Sequence, residues 1–244
     1  MDEPIRIAMW SGPRNISTAM MRSFENRPDT GVIDEPFYAA FLAATGEKHP
    51  MVEAVLASQP TDWREVVKTV TGPAPGGAPI FYQKQMTHHM LPEFGLDWTA
   101  GCRNAFLIRE PERVLASYVQ KRHRASLRDI GVERQAELFE READRLGRAP
   151  PVVEGIDVLK DPRGALGRLC AALGIAFDDA MLAWPAGRRD SDGVWAPAWY
   201  DAVERSTGFG PPADGDPPVL GDALQRVADA ARPYYERLSA HALR

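Results

Sequence analysis

A short apolar segment that leads directly into a turn and a helical pattern opens the chain and constrains its fold more than any other feature. Residues 5–10 have the composition of a buried strand, Gly12 and Pro13 then turn the chain, and a helix is predicted to begin near Asn15. The first N–H groups of a helix lack helical acceptors and lie at the positive end of its dipole, so they attract anions. A guanidinium and two hydroxyls could assist them, those of Arg14, Ser17 and Thr18. The segment predicts a phosphate-binding loop, and the plainer alternative is a capped helix with a surface arginine.

This loop differs from the Walker A loop of ATP-binding enzymes. A Walker A motif would need Gly and Lys where Ser17 and Thr18 stand. The difference argues against an ATPase or a common kinase.

Short apolar segments alternate with helical patterns along much of the chain. Strands are predicted at residues 5–10, 31–33, 80–83, 104–108 and 151–154, and helices near 15–26, 62–70, 111–125, 131–147, 162–173 and 221–242. This alternation predicts an α/β fold of three layers, with a central parallel sheet and helices on both of its faces. In such sheets ligands bind beyond the carboxyl ends of the strands, so functional residues are expected directly after the apolar segments.

Composition narrows the class of protein further. The 244 residues, 44% of them hydrophobic and 26% charged, are consistent with one domain over residues 1–244. The net charge of −5 gives no sign of a nucleic-acid partner. No apolar segment approaches the roughly 18 residues that cross a bilayer, so no membrane partner is expected.

The compartment is predicted from the N-terminus and the cysteines. The first ten residues are acidic and enter a strand, unlike a secretory signal. Cys102 and Cys170 lie far apart in apolar surroundings, which favours buried free thiols over a disulfide. Both observations predict a cytoplasmic protein.

A second anion site is predicted after the fourth strand. Arg109 stands at the strand's carboxyl end, Pro111 opens the next helix, and Ser117 lies about two turns further on. Arginine and serine in this arrangement can bind a phosphate, although an ion pair from Arg109 to a neighbouring glutamate is an alternative. Two phosphate sites in one crevice would suit a nucleotide that is phosphorylated at two separate positions.

These residues together resemble the sulfotransferase superfamily, whose donor is 3′-phosphoadenosine 5′-phosphosulfate (PAPS). Members carry Pro, Lys or Arg, Ser, Gly and two Ser or Thr after the first strand, and residues 13–18 align with this motif without gaps, with Ile16 in place of the glycine. They also carry Arg-Asp-Pro-Arg with a serine five residues later, which is similar to residues 109–117. The resemblance implies a P-loop NTPase-like fold. It also implies that the first loop holds the 5′-phosphosulfate, while Arg109 and Ser117 hold the 3′-phosphate.

Two later segments extend the resemblance. Residues 154–162 and 173–175 are similar to the family's strand, acidic loop and helix start. Residues 188–195 are similar to its Arg-Lys-Gly-x-x-Gly-Asp-Trp segment, which implies that Arg188 and Arg189 reach the 3′-phosphate. The donor-binding residues implied by the resemblance are Gly12, Pro13, Arg14, Asn15, Ile16, Ser17, Thr18, Arg109, Ser117, Arg188 and Arg189.

The chemistry requires a base for the acceptor's proton and positive charge at the transferred group. Arg14 would stabilise the leaving phosphate. Glu35, which precedes Pro36 after the second strand, is the first candidate base, and His88 after the third strand is the second. Lys84 could donate to the sulfuryl or bridging oxygens. His89, adjacent to His88, is interpreted as structural.

Aromatic residues near these sites have two interpretations. They could line an acceptor pocket or form a lid, or they could be core at helical spacing. They are Phe37, Tyr38, Phe41, Trp195, Trp199 and Tyr200.

The sequence thus predicts transfer of a sulfuryl group from PAPS to a hydroxyl or amine of a small molecule or glycan. The bisphosphate PAP would be the product, and no metal is expected. The alternatives are a P-loop nucleotide kinase or hydrolase, which would require Mg²⁺, and a non-catalytic nucleotide-binding relative, which the substitution at Ile16 keeps open.

Overall fold

Five parallel strands form one sheet in the computed structural model, which describes residues 3–122, 124–212 and 215–244. They are β1 (Ile5–Ser11), β2 (Thr30–Asp34), β3 (Ile80–Met86), β4 (Arg103–Ile108) and β5 (Val152–Glu154). The strand order is β2-β3-β1-β4-β5, so the first strand lies at the centre of the sheet. Because every pairing is parallel, the carboxyl ends of all the strands meet at one edge.

Helices and short turns connect the strands. The α-helices are α1 (Ser17–Glu25), α2 (Tyr38–Thr45), α3 (Val52–Ser58), α4 (Trp63–Thr71), α5 (Pro111–Tyr118), α6 (Leu127–Ile130), α7 (Val132–Leu146), α8 (Gly155–Lys160), α9 (Pro162–Ala172), α10 (Ala196–Trp199), α11 (Asp201–Glu204) and α12 (Asp222–Ser239). Short 3₁₀ helices lie at Pro75–Gly77, Thr87–His89, Asp97–Gly101 and Asp179–Leu182.

Alternate residues of β1 point into two separate hydrophobic clusters. Ala8 and Trp10 belong to a cluster that includes residues of α2, α4, α7 and α12. Ile7 and Met9 belong to another, which includes residues of α1 and α9. Since successive side chains of a strand point to opposite faces, helices cover both faces of the sheet. The predicted three-layer α/β architecture is confirmed.

The predicted strands all appear within a few residues of their expected bounds, whereas several helices differ. Helix α5 ends at Tyr118 instead of continuing to residue 125, and His123 in that stretch lies outside the described residues. Helix α2 was not predicted, because its sequence is apolar on every face and its hydrophobic residues do not recur with the period of a helix. Helix α8 replaces part of the acidic loop that the resemblance implied.

Further predictions concern the two cysteines, membrane-spanning helices, the number of domains and the compartment. Cys102 and Cys170 are buried free thiols, as predicted. Among the described residues, no helix has the length and apolar character to cross a membrane. Met1 and Asp2, part of the acidic N-terminus, lie outside the described residues, as do positions 213 and 214 of the Pro- and Gly-rich segment before α12. One domain over residues 1–244 and a cytoplasmic location stay predictions.

Candidate active site

A cavity of about 390 Å³ lies at the carboxyl edge of the sheet and gathers most of the residues that the sequence singled out. It lies where parallel α/β sheets bind ligands, because loops after neighbouring strands meet there. The predicted site residues that line it are Pro13, Arg14, Ile16, Ser17, Thr18, Glu35, Lys84, His88, Arg109 and Ser117.

The loop between β1 and α1 has an unusual backbone. Arg14 and Ile16 adopt left-handed conformations, with φ angles of 61° and 57°. A β-branched residue rarely adopts this conformation, whereas glycine does so without strain. The first helical hydrogen bond runs from the Met20 N–H to the Ile16 carbonyl at 3.0 Å. The preceding N–H groups of α1 therefore have no helical acceptors, and they form the anion-attracting end of the helix.

Gly12 and Asn15 contribute to the loop from outside the cavity lining. A Cβ atom at Gly12 would clash with the Ile130 carbonyl, so glycine permits close packing against α6. Asn15 is buried, and its side-chain amide donates to the Leu107 carbonyl at 3.3 Å. Both residues therefore fix the position of the loop through contacts outside the cavity.

Arg14 and Arg109, from separate strand ends, are linked in the structure. The Arg14 Nε donates to the Ser117 hydroxyl at 2.8 Å, and an Arg109 Nη donates to the Arg14 carbonyl at 2.8 Å. Neither guanidinium forms an ion pair with a carboxylate of the described residues. Burial lowers the pKa of both, and for Arg109 the neighbouring charges of Arg113 and Arg14 lower it further. Two partly buried cations that lack counterions make a strong anion site.

Lys84 is fully engaged with protein groups. Its side chain is 1% exposed, and its Nζ donates to Asp34 at 3.0 Å, to Glu35 at 2.7 Å and to the Tyr200 hydroxyl at 2.6 Å. An ammonium has three N–H donors, so these partners use all of them. The expected donation from Lys84 to a sulfuryl oxygen would therefore require it to release one partner.

Asp34 holds this cluster together. It lies opposite Lys84 in the pairing of β2 with β3, and its second carboxylate oxygen accepts from the Tyr200 hydroxyl at 2.6 Å and from the Gly193 N–H at 3.2 Å. Trp195 donates its indole N–H to the same Tyr200 hydroxyl at 3.1 Å. Asp34 thus completes a buried network of satisfied polar groups.

Glu35 occupies a constrained turn directly after β2. Its φ is 40°, its N–H donates to the Lys84 carbonyl at 3.1 Å, and the Gln59 side chain donates to its carbonyl at 3.1 Å. Burial raises the pKa of the Glu35 carboxyl, and the positive charge of Lys84 opposes that shift. A carboxylate with a raised pKa at a cavity wall has the character of a general base.

His88 differs electrostatically from Glu35. Burial, followed by the neighbouring charges of His49 and Lys84, lowers the pKa of His88 to about 3. Its Nδ1 is buried, and no group of the described residues accepts a hydrogen bond from it to stabilise a proton there. An imidazole with such a low pKa is a weak proton acceptor, which places Glu35 ahead of His88 as the candidate base.

Arg188 and Arg189 do not line the cavity. Arg188 is largely exposed and lies 3.9 Å from Glu204, and Arg189 lies 4.0 Å from Glu25 on α1. The buried pair of Arg22 and Asp192, joined at 2.6 Å, folds this loop back against α1. The structure therefore does not bring the basic pair to Arg109 and Ser117.

The sequence interpretation left several cavity and network residues without a role. Asp34 directly precedes Glu35, and its position at a strand end was the signal that could have identified it. Ser206 and Phe209 also line the cavity, but they lie in an irregular segment that carries no motif in the sequence interpretation. Of the aromatic candidates, Tyr38, Trp199 and Tyr200 line the cavity, whereas Phe37, Phe41 and Trp195 are buried in the core.

No group of three or more His, Cys, Asp or Glu side chains that could hold a metal ion occurs within the described part of the chain. The charged groups that line the cavity are instead the guanidiniums of Arg14 and Arg109 and the ion pair of Glu35 with Lys84, and Asp34 supports that pair from behind the lining.

The chain is similar to known proteins in sequence and in fold. A family model described as a sulfotransferase domain matches residues 5–242. Two Arabidopsis thaliana relatives, named branched-chain-amino-acid aminotransferase-like proteins 1 and 2, are 38% identical over 214 residues and 34% identical over 206. These alignments cover 87% and 84% of this chain but only 38% and 36% of the relatives. The chain spans little more than a third of their length.

Solved structures of similar fold include two sulfotransferases. The sulfotransferase domain from the curacin biosynthetic pathway matches with a TM-score of 0.54 and 16% identity, covering 95% of this chain and 99% of that one. A sulfotransferase from Alicyclobacillus acidocaldarius matches with a TM-score of 0.54 and 14% identity, covering 98% and 96%. At these identities the likeness shows the fold.

Proposed function

The chain belongs to the sulfotransferase domain family, whose general activity is sulfuryl transfer, and we propose that its donor is PAPS. The acceptor would be a hydroxyl or amine of a small molecule or glycan. The observation that carries the donor assignment is the pair of partly buried guanidiniums, Arg14 and Arg109, beside the N-terminus of α1. Neither guanidinium has a carboxylate partner among the described residues. A donor with phosphate groups at two positions supplies counterions for both.

The proposed donor contacts follow from this placement. The N-terminus of α1, with the Ser17 and Thr18 hydroxyls, would hold the 5′-phosphosulfate. Arg109 and Ser117 would hold the 3′-phosphate, and Arg14, which bonds to Ser117 in the structure, would turn towards the donor. Arg188 and Arg189 lie outside the cavity and are left out of the proposed donor site.

The proposed reaction is an in-line displacement at sulfur. The acceptor oxygen or nitrogen forms a bond to sulfur while the bond between sulfur and the 5′-phosphate oxygen breaks. Glu35 takes the acceptor's proton, and Arg14 stabilises the charge that develops on the departing phosphate. Lys84 orients the Glu35 carboxylate through their 2.7 Å ion pair. PAP and the sulfated acceptor leave as products.

Calorimetry with PAP tests the donor assignment. We expect tight binding that does not change when Mg²⁺ is added, and much weaker binding of ATP. A preference for Mg·ATP would instead support a nucleotide kinase or hydrolase. Sulfated product from PAPS and an acceptor library would separate a catalyst from a protein that only binds the nucleotide.

The variant Arg109→Ala should weaken PAP binding by roughly 2–4 kcal/mol, because it removes a charge-assisted contact from a partly buried site. Arg64→Ala, which removes an exposed arginine on α4, is the matched control and should leave PAP affinity unchanged. Equal affinities for the two variants would remove Arg109 from the donor site.

A further inference from the structure

The charges around the cavity divide it into two unlike parts. Arg14 and Arg109, without carboxylate partners in the described chain, make the part beside β1 and β4 positive. In the part beside β2 and β3, the single positive charge of Lys84 pairs with two carboxylates, those of Asp34 and Glu35, so the negative charges outnumber it. With Glu35 ionised, as the proposed base must be, this second part carries an excess negative charge. An anionic acceptor would meet that charge at the reacting end.

Rings form the wall of the second part of the cavity. This aromatic wall consists of Tyr38, His49, His88, His89, Tyr118 and Trp199, all of which line the cavity. Tyr38 stacks on His89 with ring centroids 4.5 Å apart, and Tyr118 stacks on Trp199 with centroids 6.5 Å apart. Trp199 is partly exposed, so a ligand can reach its ring. Such flat faces suit an aromatic ligand in offset or edge-to-face contact.

The imidazoles of this wall behave as uncharged rings. The centroids of His88 and His89 lie 4.2 Å apart, and the Nδ1 atoms of both are buried without hydrogen-bond partners. Two imidazolium ions so close together would repel each other strongly. Burial also lowers the pKa of His49 to about 4. The rings of the wall therefore carry no positive charge of their own, and the nearby charge of Arg122 is opposed by that of Asp129.

Two hydroxyls beside the wall, those of Tyr38 and Tyr200, already have partners within the protein, and the Nδ1 atoms of His88 and His89, which have none in the described chain, are buried from solvent. The Tyr38 hydroxyl lies 2.8 Å from His49 Nδ1, and the Tyr200 hydroxyl bonds to Lys84, Asp34 and Trp195. A sugar ring placed here would lose water from several hydroxyls and gain few new hydrogen bonds. One reacting hydroxyl, by contrast, needs only Glu35.

We propose that the acceptor is an uncharged aromatic alcohol whose planar body packs on the aromatic wall and whose hydroxyl reaches Glu35. This inference rests on the proposed sulfuryl transfer and narrows its acceptor from the broad range of small molecules and glycans. It excludes acidic sugars through the charge at Glu35, and neutral sugars through the shortage of free polar partners.

Binding to the 244-residue chain saturated with PAP tests the inference without requiring turnover. The probes are naphthol, hydroxynaphthoate, which adds one carboxylate to the same ring system, and methyl glucoside. We expect naphthol to bind at least about tenfold more tightly than either of the others, because like charges and unpaired polar groups both weaken binding. The same order should appear in kcat/KM for sulfation by PAPS.

Variants of Glu35 and Trp199 test which residues cause the preference for naphthol. Glu35→Gln should bring the affinity for hydroxynaphthoate closer to that for naphthol, because it removes the opposing charge. Trp199→Ala should weaken naphthol binding while PAP affinity stays unchanged, and Trp199→Phe should restore much of it. Trp63→Ala is the matched control, because Trp63 lies on α4 and is not part of the cavity wall.

The outcomes separate this inference from the function on which it rests. If PAP binds but naphthol binds no better than hydroxynaphthoate or methyl glucoside, the acceptor class is wrong and the donor assignment stands. If PAP itself does not bind, the proposed function is wrong, and the acceptor inference that rests on it is wrong as well. Unchanged naphthol affinity in Trp199→Ala would contradict the role of the aromatic wall.

Discussion

The backbone conformation of Ile16 destabilises the fold, whereas the packing of its side chain stabilises it. Its φ of 57° and ψ of 17° lie in the left-handed region at the start of α1, which costs roughly 1–2 kcal/mol for a residue with a Cβ atom. Its side chain packs against the hydrophobic cluster that includes α1 and α9, and it lies close to Gly155. The packing offsets the strain, so isoleucine can hold a conformation that glycine would adopt without strain.

We predict that Ile16→Gly is more stable than Ile16→Ala by about 1 kcal/mol, because both lose the packing and only glycine loses the strain. This reverses the order at ordinary helix positions, where glycine is the less stable by a similar amount. Urea denaturation of both variants measures the difference. An alanine variant as stable as the glycine variant would show that the left-handed backbone costs little here.

Glu35 and His88 compete for the role of base, and the pH dependence of turnover distinguishes them. The base must be unprotonated, so turnover rises with pH through its pKa. Burial raises the Glu35 pKa above the ordinary value of 4.5, whereas burial lowers that of His88 to about 3.

We therefore predict an acidic limb in kcat/KM centred above pH 4.5. In Glu35→Gln that limb should disappear and turnover should fall by about 10²–10⁴-fold, with PAP affinity retained. His88→Gln is the matched comparison and should keep the limb. A limb that survives in Glu35→Gln would assign it to another group.

At the scale of elements, helix α1 and the loop over residues 187–193 depend on each other. Arg22 of α1 is 1% exposed and donates to the fully buried Asp192 carboxylate at 2.6 Å. The same carboxylate accepts from the Arg189 N–H at 2.8 Å, and Ser191 bonds to Glu25 of α1. The loop then delivers the Gly193 N–H to Asp34, so the helix behind the phosphate loop is connected to the Lys84 cluster.

We predict that Asp192→Asn lowers the free energy of unfolding by about 1.5–3 kcal/mol, because it removes the nearer of the two carboxylates that pair with the buried Arg22 charge and leaves only Glu25, at 3.4 Å. Glu65→Gln makes the same chemical change in the exposed pair with Lys68 and should cost under ~1 kcal/mol. Chemical denaturation measures both variants. Similar losses in the two would mean that the buried pair adds nothing beyond a surface contact.

At the scale of the whole molecule, the sheet brings two cations to one edge without giving them carboxylate partners in the described chain. Arg14 follows the central strand and Arg109 follows its neighbour β4, so their proximity is a result of strand order. Burial of unpaired charge disfavours the folded state, and a bound anion removes that penalty. The free protein is therefore expected to gain stability when its donor site is filled.

We predict that PAP at about 100 times its dissociation constant stabilises the fold by about 2.7 kcal/mol. For a chain of this size that gain raises the melting temperature by about 5–11 °C. Adding Mg²⁺ should not change the shift, and adenosine, which lacks both phosphates, is the control that should produce little. A shift as large with adenosine would mean that the phosphates are not what the site recognises.

The sequence by itself determined the features that depend on neighbouring residues. The apolar periodicity of the strands, the turn at Gly12 and Pro13, and Arg109 at the end of its strand each follow from local preferences. Because parallel strands align their carboxyl ends, these local features already placed the cavity at the correct edge of the sheet.

The tertiary structure alone decided which groups meet across long stretches of chain. Lys84 pairs with Asp34, 50 residues away, and Arg14 bonds to Ser117, 103 residues away. Arg188 and Arg189, which the motif predicted at the donor, lie elsewhere, beside Glu204 and Glu25 respectively.

The protonation of His88 was likewise beyond the sequence, because its pKa depends on the groups packed around it. Such pairings and pKa shifts are set by packing between elements, which no local pattern encodes. The loop between β1 and α1 could thus be predicted from consecutive residues, whereas the contacts that join Glu35 and Asp34 to Lys84 could not.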